Sequence, residues 1–109
     1  MNYYGQKLRY GGFVPVDPSS PKIQEIASWA ISKYNNEHGR SMKYLKAIKA
    51  EQQLNAGVIY RIDLEASYRH DNGSVISVKL GKYQVLVYQD FNKQLNLHDF
   101  KPLLQFATQ

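Results

Sequence analysis

From Val58 to Arg69 the chain alternates without a break. Val58, Tyr60, Ile62, Leu64, Ala66 and Tyr68 fall on one side, and Ile59, Arg61, Asp63, Glu65, Ser67 and Arg69 on the other. Apolar residues at a period of two, opposed mainly by polar ones, define a strand with one buried face and one wet face. Such a strand needs neighbours for its backbone and an apolar layer over its buried side.

That layer lies upstream. Ser20-Pro21 reads as a helix start, with Ser as the capping residue and Pro at the first helical position. Ile23, Ile26, Ala27, Ala30, Ile31 and Tyr34 follow at spacings of three and four, one apolar stripe fit to lie on a sheet. Trp29 sits off the centre of the stripe and is expected to cover its edge. Gly39 is placed to end the helix, so the spacing predicts a helix from about Pro21 to His38.

The remaining elements are strands. Phe13-Val14-Pro15-Val16 suits a short edge strand, since Pro15 is tolerated only at an edge. Met42 to Gln52, rich in Tyr, Leu, Ala and Ile, precedes the alternating run. Asp71-Asn72-Gly73 marks a turn of the Asn-Gly type. Val75 to Leu80 and Tyr83 to Tyr88 are strand-like, with a bulge expected at Gly81. Leu95, Leu97 and Phe100 suit a last strand. Strands joined in sequence by tight turns are antiparallel. The expected fold is therefore α+β: one helix packed on a four- to five-stranded antiparallel sheet. Residues 1–10 read as a flexible N-terminal arm, 11–100 as the domain and 101–109 as a C-terminal tail anchored by Leu103, Leu104 and Phe106.

Composition closes off several functions. With 109 residues the chain has room for one core. It contains no cysteine, which excludes disulfides, a thiolate nucleophile and a cysteine-built zinc site. His38, His70 and His98 have no metal-ligand spacing, and no serine sits in a nucleophile elbow. Asp63 and Glu65 read as the outer face of a strand rather than as a catalytic pair. No enzyme, metal or cofactor is expected. The formal charge is +5, but Arg40, Lys43, Lys46 and Lys49 are evenly spaced and the other basic residues scattered, so a solvated surface is expected and not a nucleic-acid site. No apolar run approaches the ~18 residues a membrane span needs, and Met1 to Tyr10 lacks the apolar core of a signal peptide. The compartment is left open.

One stretch is not accounted for by folding alone. Gln53-Leu54-Asn55-Ala56-Gly57 links two strand-like runs and reads as a hairpin turn, with Asn55 and Gly57 as the residues suited to positive φ. A turn of this kind rarely needs an apolar tip such as Leu54. Either this is an ordinary hairpin loop, or its tip is to be buried by a partner.

With these elements in order, the chain resembles the cystatins, inhibitors of papain-like cysteine proteases. Gly11-Gly12 stands where that family has its N-terminal glycine. Ile26-Ala27-Ser28-Trp29-Ala30-Ile31-Ser32-Lys33-Tyr34-Asn35 resembles the family's helix signature, with Trp29 in place of Phe. Gln53-Leu54-Asn55-Ala56-Gly57 is similar to its Q-x-V-x-G loop, with Asn55 in place of Val. The Pro-Trp of the family's second hairpin is absent, and Gln89-Asp90-Phe91 occupies the corresponding link. Tyr44 to Glu51 and Leu64-Glu65-Ala66 are similar to the plant type. The resemblance implies reversible, non-covalent blocking of a protease cleft by a wedge. Tyr10, Gly11 and Gly12 on the arm, Gln53 to Gly57 in the first loop, and Gln89, Asp90 and Phe91 in the second would form it. It also implies an active monomer, with a domain-swapped dimer arising if the first hairpin opens. A cystatin-fold binding module that inhibits no protease is the competing expectation.

Overall fold

A computed structural model describes residues 12–103. Five strands and one helix follow in the order β1 (Val14–Val16), α1 (Pro21–His38), β2 (Lys43–Leu54), β3 (Val58–Asp71), β4 (Ile76–Gln89) and β5 (Leu95–Pro102). The strands lie in one antiparallel sheet in chain order, β1 to β5.

The helix forms where the stripe and its caps require. The Ser20 hydroxyl accepts the Ile23 amide proton at 3.3 Å, Pro21 opens the first turn, and Gly39 ends the helix at φ 62°. Ile23, Ile26, Ala27, Ala30 and Ile31 are buried, and Trp29 packs at the margin of the core. The other half of the core comes from the alternating strand and its neighbour: Tyr60, Ile62, Leu64 and Ala66 of β3, with Val85 and Val87 of β4. Asn35 fixes how the chain leaves the helix. Its amide donates to the Met42 carbonyl at 2.9 Å and its oxygen accepts from the Met42 N–H at 3.0 Å. This pins the start of β2 to the last turn of α1, the strand against which the helix chiefly lies.

β2 has no clean alternation in sequence because its pairing with β3 slips twice, between Tyr44 and Lys46 and between Ala47 and Lys49. The residues turned toward the helix are therefore Met42, Tyr44, Ala47 and Ala50, while Leu45 and Ile48 are left at the surface. Each bulge adds local bend and twist to β2.

Gly81 does not form the expected bulge. β4 is one strand in unbroken register with β3, and Gly81 lies opposite Ala66. Glycine leaves room there for the Tyr83 ring, whose hydroxyl oxygen would stand 2.5 Å from a Cβ. At this end of the sheet Asp71, Asn72 and Gly73 make the β3–β4 turn. The Asn72 carboxamide oxygen accepts from the Ser74 and Val75 amides at 3.1 and 2.9 Å. The site lies at the opposite end.

Candidate functional site at the loop end of the sheet

The register brings three separate segments to one place. Val14 pairs with Gln52, Leu54 with Val58, Val58 with Gln89, and Gln89 with Leu95. Continuing the β1–β2 register sets Gly12 level with Leu54. Gly12, the β2–β3 loop and the β4–β5 loop are thus neighbours along one end of the sheet, in that order. Tyr10 and Gly11 lie outside the described residues, as do Leu104 and Phe106 of the expected tail anchors.

β1 is short and needs help to hold Gly12 in line. The Phe13 ring supplies it by lying 3.9 Å from the Arg61 guanidinium, within the range of a cation–π contact. Arg61 is itself held by Glu51, through Nη2 at 2.7 Å and Nε at 2.9 Å from the same carboxylate oxygen. Asp63, on the same outer face, accepts from the Gln84 amide at 2.8 Å. These polar residues brace the sheet.

The first loop reverses in three residues, Asn55 to Gly57, and the Asn55 N–H donates to the Gly57 carbonyl at 3.0 Å. Positive φ falls on Ala56 (48°) and Gly57 (127°), not on Asn55 as the sequence suggested. That internal bond closes the loop from Asn55, so the reversal is left to the next two residues. An L-residue such as Ala56 in the left-handed region costs about 1–2 kcal/mol. Gly57 is required twice over: by its φ, and because a Cβ would sit 2.6 Å from the Gln89 carbonyl oxygen and 2.8 Å from the Tyr88 ring. The two loops touch at this glycine. Leu54 remains 42% exposed beside it.

The second loop is built on Asp90. One carboxylate oxygen accepts from the Asn92 amide at 2.8 Å and the Gln94 amide at 2.9 Å, while the Asp90 N–H donates to the Gln94 carbonyl at 3.0 Å. Gln89 closes the turn by donating to the Lys93 carbonyl at 3.3 Å. Asp90 and Gln89 are therefore the frame, and Phe91 is what the frame presents, 79% exposed at the tip. Between the loops lies an open hollow of about 330 Å³ whose lining includes Leu54, Gly57, Tyr60 and Phe91 together with Lys22 and Lys93. Sequence reasoning missed both lysines and also Tyr88, whose hydroxyl donates to the Ala56 carbonyl. Nothing in a strand-like run marks such a tyrosine; only the pairing register does.

The Cystatin domain family model matches residues 11–102, and the chain belongs to the cystatin family. Among curated proteins it is 33% identical over 84 residues to Multicystatin of Solanum tuberosum, a match covering 76% of this chain and 11% of that protein. It is 30% identical over 84 residues to Cysteine proteinase inhibitor A of Helianthus annuus, covering 77% of this chain and 94% of that one. The first relatives are longer proteins: the chain spans 62% of Putative cysteine proteinase inhibitor 7 of Oryza sativa subsp. japonica. In fold it matches the salivary cystatin of the soft tick Ornithodoros moubata with a TM-score of 0.70 at 18% identity, over 86% of this chain and 98% of that one. Dimeric human cystatin F matches with a TM-score of 0.69 at 12% identity, over 90% of each chain. A protein of this family is a binding protein and not an enzyme.

Proposed function

We propose that this chain is a reversible, non-covalent inhibitor of papain-like cysteine proteases. Tyr10, Gly11 and Gly12, the loop Gln53 to Gly57, and Gln89, Asp90 and Phe91 would enter the cleft together as a wedge. The observation that carries this reading is the alignment of three chain segments at one end of the sheet, with Leu54 and Phe91 held out on hydrogen-bonded turns. Apolar tips on rigid turns lose little entropy on docking, so their burial appears as affinity. The wedge blocks access of substrate without offering a peptide bond to the nucleophile, so the protease is released unchanged on dissociation. Within the wedge, Leu54 and Phe91 are the anchors, and Asp90 keeps Phe91 in place. The active form is the monomer, since the first loop exists only in a closed hairpin.

The relatives named as cysteine proteinase inhibitors support this reading. The departures at Asn55 and at Gln89-Asp90-Phe91 favour the competing one, a cystatin-fold binding module without inhibition. A papain assay separates them. Inhibition that reverses on dilution, with the chain recovered uncleaved, is expected; the absence of inhibition at micromolar concentrations would leave only the binding module.

A further inference from the structure

We infer that Tyr88 is a positioning residue that holds the first loop in its binding shape, an inference that rests on the inhibitory reading of that loop. Tyr88 lies in β4, opposite Ile59 in β3 and Asn96 in β5. It belongs to neither turn of the wedge. Its side chain nevertheless reaches past the end of β3 to the loop between β2 and β3, where its hydroxyl donates to the Ala56 carbonyl. The ring covers Gly57 so closely that a Cβ there would lie 2.8 Å from Cε1 and 2.9 Å from the hydroxyl oxygen. On its other side the His98 ring stands with its centroid 5.7 Å away, which limits how far Tyr88 can swing.

The residue receiving this bond is the one whose backbone is strained, Ala56 at φ 48°. Within the loop one backbone bond, from Asn55 to Gly57, defines the reversal. It does not fix which way the Ala56 peptide faces. The Tyr88 hydroxyl does, because the Ala56 carbonyl must point at it. The second hairpin thus sets the first through a bond from its strand to the Ala56 carbonyl. The bond is exposed, so losing it leaves the carbonyl to water and unfolds nothing. What changes is how often the loop holds the docking geometry.

Tyr88→Phe keeps the ring over Gly57 and removes only the donor. The expected result is a melting temperature within about 2 °C of the parent. Amide exchange should be faster at Ala56, Gly57 and Val58, and papain should dissociate about three- to tenfold faster. Tyr68→Phe, which removes a hydroxyl at the far end of β3, serves as control and should change neither readout. Unaltered exchange and dissociation in Tyr88→Phe would overturn the inference. A large fall in melting temperature would also overturn it, because Tyr88 would then be supporting the fold and not the loop. If the parent protein fails to inhibit papain, the proposed function falls, while exchange at residues 56–58 still decides the role of Tyr88.

Discussion

Gly57→Ala separates the cost of an unusual backbone from the cost of breaking the contact between the loops. At φ 127° an L-residue is strained by about 1–3 kcal/mol. The new methyl would also stand 2.6 Å from the Gln89 carbonyl oxygen, a backbone atom held by the pairing of Gln89 with Val58 and Leu95. The loop must then move off the end of β4, adding at least ~1 kcal/mol, so the total is about 2–4 kcal/mol. A domain of this size loses about 4–8 °C per kcal/mol, giving a fall of at least ~8 °C. Gly39→Ala is the control. Gly39 also has positive φ, 62°, but nothing lies within 4 Å of its Cβ position and it sits at the end of α1 away from the loops. It should lose only ~1 kcal/mol and keep its inhibition constant. Calorimetry and a papain assay on both variants decide the matter. If Gly57→Ala melts with Gly39→Ala and inhibits as the parent does, the loops are not locked together at Gly57.

Leu54→Asp should weaken papain inhibition by at least ~2 kcal/mol, roughly thirtyfold, because it puts a charge where an apolar anchor is buried. Leu54 is already 42% exposed, so the melting temperature should hardly move, and an unchanged inhibition constant would remove this loop from the interface. Deleting residues 1–11 should leave the melting temperature intact and speed dissociation from the protease; equal off-rates would show that the arm takes no part. Heating, or storage at high concentration, should yield a dimer without papain inhibition, which sizing followed by assay of each peak will test. A dimer as inhibitory per chain as the monomer would rule out a hinge at Gln53 to Gly57.

The fold was legible where spacing carries the signal. β3 alternates because its faces meet different solvents, and the stripe and caps of α1 mark both of its ends. β2 was legible only as a mixed segment. Its two bulges place Met42, Tyr44, Ala47 and Ala50 on one side, and no fixed period contains that set. A glycine in a strand signals either a bulge or a close approach, and what decides at Gly81 is the way the Tyr83 ring, two residues on in the same strand, lies back over it, which residue spacing does not encode. At the site, the loop and its apolar tip were visible in sequence, but the positions of positive φ were not. Asn and Gly are the residues most tolerant of that region, so propensity selects Asn55. The bond from the Asn55 N–H to the Gly57 carbonyl instead moves the bend on to Ala56. Asp90 reads in sequence as a contact residue beside Phe91; one of its carboxylate oxygens also accepts from the Asn92 and Gln94 amides of its own turn, which no spacing signals.

The strained Ala56 and the bonds around it act against each other in a way that bears on swapping. Opening the hairpin into one long strand relieves about 1–2 kcal/mol at Ala56. It also gives up the Asn55–Gly57 and Tyr88–Ala56 hydrogen bonds, each contributing about 0.5–1.5 kcal/mol. The two sides nearly cancel, so the closed loop is held only weakly against the open strand. The barrier lies elsewhere. α1 and β2 travel together, since the helix lies chiefly on β2 and Asn35 ties its last turn to Met42. To exchange, this unit must leave β3 and expose Ile62 and Leu64, which have no solvent exposure in the monomer. The exchanged pair recovers that packing, so the cost falls on the transition and not on the product. Swapping should therefore be slow at ordinary temperature and accelerate steeply on heating, as unfolding does. Tyr88→Phe, which weakens the closed loop without touching the core, should shift the swapped fraction at equilibrium while changing its rate of formation little.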